Sequence, residues 1–171
     1  MNIDNLIREI FKKNGSISKV DVNVLIKSIL QCYFDKEKIA YELDTGSSIK
    51  YYDFILSSDF RSFSNPIGIK VDVDLRSIFT AHFENQQIDN NEHNQFEKLR
   101  STLYELISTY TISSIILITF LDEDQIKEFK EKNRDLNKNF NIEVIGKDFI
   151  NEILQDMPNQ VEEIISKLFS S

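Results

Sequence analysis

Apolar positions recur every three to four residues early in the chain and every second residue near its middle, which predicts helices first and strands next. Ile3, Leu6, Ile7, Ile10 and Phe11 fit one helix face behind Asp4, a candidate cap, and Asn14-Gly15 closes that segment. Val22 to Tyr33 is a second helical stretch, with Ser18 or Asp21 as its cap. Ile39 to Leu43 reads as a strand and Asp44-Thr45-Gly46-Ser47 as a turn. The strand Tyr51 to Leu56 should therefore return antiparallel. A third strand, Ile67 to Leu75, follows the loop Ser64-Asn65-Pro66.

The pattern changes again in the second half. Glu84 to Asn94 is polar and leads into a helix carrying Phe96, Leu99, Leu103, Leu106, Ile107 and Tyr110. Ile115 to Phe120 is a nearly unbroken apolar run, expected of a strand covered on both faces. Asp122 or Asp124 caps a charged helix to about Asn137, and Ile142 to Ile145 is a short strand. Gly146 leads into a helix from Lys147 to Gln155, and Pro158 opens a last amphipathic helix to Phe169. The order predicts an α/β fold: a three-strand meander plus a crossover strand in one mixed β-sheet flanked by helices.

Composition narrows the picture. The 171 residues suit one domain, 41% are hydrophobic and 28% charged, and glycine (4) and proline (2) are scarce. No apolar run approaches the roughly 20 residues of a membrane span. Met1-Asn2-Ile3-Asp4 lacks a secretory pattern, and a single cysteine, Cys32, offers no internal disulfide, so an intracellular (cytoplasmic) location is expected. A net charge of −8 opposes a general electrostatic hold on nucleic acid, while leaving room for a local basic groove or a protein partner.

Candidate chemistry gathers on the meander. Alternation places Gly68, Lys70, Asp72 and Asp74 on one strand face, opposite the apolar set. Asp53 lies on the preceding strand, and Glu42 on the one before is a secondary oxygen donor. Charges so placed are costly to bury unless paired or metal-bound, so the cluster is either a metal site or a plain ion-pair network. Elsewhere the ordinary reading is stronger. His82 and His93, near Glu84 and Glu92, match no standard ligand spacing. Cys32 reads as a core thiol, and Lys127 to Lys138, with Lys130, Lys132 and Arg134, as a solvated helix face. Arg61, Arg76 and Arg100 are candidate phosphate contacts. Phe60 and Phe63 flank Arg61 in a loop that either meets a partner or tucks under the sheet.

These residues and this order resemble the restriction-endonuclease-like fold, the PD-(D/E)xK nuclease superfamily, with an Mrr-like core. Its core runs α-β-β-β-α-β, with an aspartate on the second strand and acid-x-lysine on the third. Asp53 matches the first aspartate, Pro66-Ile67-Gly68-Ile69 the start of the third strand, and Ile142 to Leu154 the terminal strand-helix. The resemblance covers about residues 39–154, leaving helical extensions at 1–38 and 155–171 of a single domain. The motif departs at its centre: Lys70-Val71-Asp72 reverses acid-x-lysine, and Asp72-Val73-Asp74 is acid-x-acid.

The resemblance implies two outcomes. Either the chain is a degenerate member, serving as an interaction or nucleic-acid-associated module in a phage, mobile-element or defence context, or it is an active Mg²⁺- or Mn²⁺-dependent phosphodiesterase. In the active case Asp53 and Asp72 would hold the metal, with Asp74 and Lys70 completing the catalytic set. Lys50 is a further source of a lysine. The acidic charge also permits an inhibitor that mimics nucleic acid. The C-terminal helix, with Val161, Ile164, Ile165, Leu168 and Phe169, is expected either to pack on the domain or to form a homodimer seam.

Overall fold

A computed structural model of the chain describes residues 2–43, 52–73, 92–109, 112, 114–137 and 140–169. Two helices come first, α1 (Ile3–Asn14) and α2 (Lys19–Lys36), followed by β1 (Tyr41–Leu43), β2 (Phe54–Leu56) and β3 (Ile67–Val71). Then come α3 (Glu92–Thr109), β4 (Ser114–Ile118), α4 (Glu123–Lys132), a 3₁₀ turn at Arg134–Asn137, β5 (Asn141–Ile145), α5 (Lys147–Asp156) and α6 (Pro158–Phe169). The five strands form one mixed sheet in sequential order. β1, β2 and β3 are antiparallel neighbours, and β4 and β5 run parallel to β3. The predicted α/β class and the meander-then-crossover arrangement are therefore present.

Two apolar layers hold the sheet. On one face Phe54, Leu56, Ile67, Ile69, Val71, Ile116 and Ile118 pack with residues of α1, α2, α5 and α6. On the other, Tyr52, Ile55, Ile115, Leu117 and Val144 pack with residues of α3 and α4. β4 is buried throughout because it feeds both layers. Most of the apolar stripe of α6 is used within the chain: Val161 is fully buried, Ile164, Ile165 and Phe169 pack against the first layer, and Leu168 is exposed.

Helix ends show where local chemistry overrides spacing. Asn2, not Asp4, caps α1 by accepting the Asn5 N–H at 2.9 Å. Asp4 instead binds the Lys147 ammonium at 3.1 Å and ties α1 to α5. Ser18 and Asp21 cap α2 together, each side chain bonding the other's backbone N–H. Asp122 caps α4, which ends at Lys132 rather than near Asn137. Its end is fixed by Asn133, whose side chain donates to the Phe129 carbonyl, and by Arg100, which grips Asn133 and Asp135.

Glu123 and Asp148 meet where α4 and α5 begin. Their hydrogen bond and mutual repulsion raise the Glu123 pKa above the usual carboxylate value. A raised acid favours folding below its unfolded pKa and loses that contribution as pH rises through the folded value. Glu123→Gln should therefore raise the Tm of dilute protein at pH 7 by about 1–2 °C and give no gain near pH 4, checked by thermal melts at both values.

Candidate functional site

The acids of the meander gather where β2 starts and β3 ends, and the backbone explains why. Phe54 pairs with Ile69, so Asp53 stands opposite the last residues of β3. Its N–H donates to the Ile69 carbonyl at 2.8 Å. Its carboxylate bends back, and Oδ2 accepts the Val71 N–H at 2.7 Å. A side chain thus replaces a strand carbonyl and closes the ladder. The strands are shorter than their apolar patterns predict: β1 starts at Tyr41, β2 at Phe54, and β3 ends at Val71 instead of Leu75.

Three lysines surround the two described aspartates. Lys27 Nζ lies 3.0 Å from Asp53 Oδ1, and Lys70 Nζ lies 3.9 Å from Asp53 Oδ2. Lys19 Nζ lies 3.3 Å from Asp72 Oδ1. The Asp53 side chain is only 9% exposed, whereas the Lys27 and Lys19 side chains are 41% and 59% exposed. The aspartate is thus fixed at the sheet, and the lysines reach in from outside. Asp72 lies past the strand end, with its N–H on the Ile118 carbonyl at 2.8 Å.

Compared with protein-family models, curated proteins and solved structures, the chain matches none.

The described donors, as arranged, do not fit a divalent ion. Mg²⁺ and Mn²⁺ take carboxylate, carbonyl and water oxygens, and carboxylates concentrated without cations nearby favour them. Here Asp53 has one oxygen on an ammonium and the other on an amide, and Asp72 has an ammonium of its own. Asp53 alone faces two ammonium groups, those of Lys27 and Lys70. Among the described residues no group of three or more His, Cys, Asp or Glu side chains is placed to hold a metal.

The expected site residues are thus only partly brought together. Asp53 and Lys70 meet, while Asp72 pairs separately with Lys19. Asp74, Lys50, Arg76, His82 and Glu84 lie outside the described residues. Glu42 is exposed on edge strand β1, opposite Ile55, and the ion pairs of Asp53 do not include it. Gly68 does not belong to an open polar face. The buried ring of Tyr52 lies over it, and a Cβ there would sit 2.4 Å from Tyr52 Cε1. Lys19 and Lys27 were not legible as site residues, because no spacing rule says which strand end α2 will cross.

Other candidates have structural partners. Phe60 is tucked against Tyr33, Phe34 and Phe149, and Arg61 forks onto Glu143 at 2.9 and 3.1 Å. Arg100 binds Asp135 at 2.8 Å and holds that carboxyl at a pKa of about 2. Lys132 pairs with Glu128 at 2.8 Å and lies over the Phe96 ring. Cys32 is half-buried against the first apolar layer.

Proposed function

We propose that this is a restriction-endonuclease-like domain whose active-site position has become a lysine–aspartate lock, leaving a non-catalytic interaction module associated with nucleic acid. The observation that carries the reading is the state of Asp53: one oxygen serves the strand ladder and the other neutralises Lys27. The meander followed by a helical crossover to a parallel strand supports the family resemblance. So does the position of Asp53 before β2 with Lys70 across on β3. The reversed Lys70-Val71-Asp72 order supports the loss of chemistry: Lys70 meets Asp53, and Asp72 is drawn to Lys19.

An incubation series tests the proposal. Single- and double-stranded DNA and RNA are each mixed with the protein plus Mg²⁺ or Mn²⁺. No cleavage above the metal-only control is expected. Metal-dependent cleavage abolished by Asp72→Ala would overturn the reading in favour of an active phosphodiesterase.

A further inference from the structure

A groove of about 610 Å³ runs beside β5, the last strand of the sheet. Among the described residues β5 pairs only with β4. The Ile145 carbonyl accepts the Thr119 N–H at 2.8 Å, so its backbone groups face β4. Backbone groups alternate sides along a strand, which turns the N–H and C=O of Ile142 and Val144 outward. The walls are α4 and α5, which pack on opposite faces through Phe129 on one side and Ile150, Ile153 and Leu154 on the other. An uncovered strand edge is a template for another strand.

Charge along the groove selects the occupant. Both helices begin where β5 ends, because the Lys147 N–H reaches the Leu121 carbonyl at 3.2 Å. Glu123, Asp124 and Asp148 therefore line that end. α4 then runs back toward the start of β5, carrying Lys127 and Lys130 with it. Lys147 also stands at the first end, and Glu152 and the Arg61–Glu143 pair stand toward the other, so the first end is net negative and the second net positive. We propose that β5 pairs with β5 of a second copy, antiparallel across a two-fold axis normal to the sheet. That operation keeps α4 beside the partner's α4 and lays each acidic end on the other's basic end. A parallel alignment would set like charges together.

Sedimentation velocity of the full chain over a concentration series tests this. The wild type should approach twice the 20.0 kDa chain mass as concentration rises. Lys127→Glu with Lys130→Glu makes the groove strongly acidic, and Glu123→Lys with Asp124→Lys makes it net basic. Each variant alone should raise the dissociation constant about tenfold or more, and an equimolar mixture of the two should restore the dimer. Val144→Pro removes one outward N–H, a change that edge strands tolerate, and should also weaken pairing. Circular dichroism checks that each variant is folded. The inference is overturned by a wild type that stays monomeric to about millimolar concentration. It is equally overturned by a dimer that the charge reversals leave intact, or by a mixture that does not re-associate. None of these outcomes bears on the cleavage assay.

Discussion

Asp53→Ala should lower the unfolding free energy by about 2–3 kcal/mol, measured by urea denaturation with an unchanged slope. The carboxylate is the acceptor for the Val71 N–H at 2.7 Å and the counter-charge for Lys27 at 3.0 Å. Alanine leaves the amide without that acceptor beside a buried valine, and a hydrogen bond to a charged group is worth about 1.5–3 kcal/mol. Asp53→Asn keeps an oxygen for the amide and loses only the charge, so about 1 kcal/mol is expected. Lys27→Met should cost less still, since its ammonium is partly in water and exposed pairs contribute little. A loss below about 0.5 kcal/mol for Asp53→Ala would show that the aspartate is not a structural tie. The lock described above would then lose its main support.

Gly146→Ala should cost about 3–4 kcal/mol and lower the Tm by roughly 10 °C, read by calorimetry. A Cβ at Gly146 would lie 2.1 Å from the Leu121 carbonyl oxygen and 2.6 Å from Ile126 Cδ1. The carbonyl cannot simply retreat, because it accepts the Lys147 N–H that joins the starts of α4 and α5. Backbone must therefore move against backbone. Gly15→Ala provides the contrast: its φ of 76° is unfavourable for alanine but nothing crowds it, so about 1 kcal/mol is expected. If both substitutions cost the same, the close approach at Gly146 is not real.

Helix positions were legible because a helix face repeats within a few residues. In α1 the apolar set Ile3, Leu6, Ile7 and Ile10 is the buried one, with Phe11 partly buried beside it. Strand limits were less legible. The alternation begun at Ile67 runs on to Leu75, yet β3 ends at Val71, its last residue paired with β4. The apolar alternation marks the first-layer core: Ile67, Ile69 and Val71 on β3 and Val73 just beyond it are all buried. The opposite face is not open at Gly68, where the missing side chain leaves room for a ring. Tyr52 uses that space.

The candidate site divides along the same line. Asp53 and Lys70 were visible as neighbours because adjacent strands of a meander bring them together. Lys19 and Lys27 were not, because α2 reaches the cluster by packing across the sheet rather than along it. Sequence by itself determined the α/β class, the order of elements, the apolar faces and Asp53 as the central acid, since each rests on local periodicity or neighbouring strands. Only the tertiary structure decided that this acid is held between a backbone amide and an ammonium, and that β5 has no second strand neighbour among the described residues. Those facts depend on which distant segments pack together, and local spacing carries no record of that.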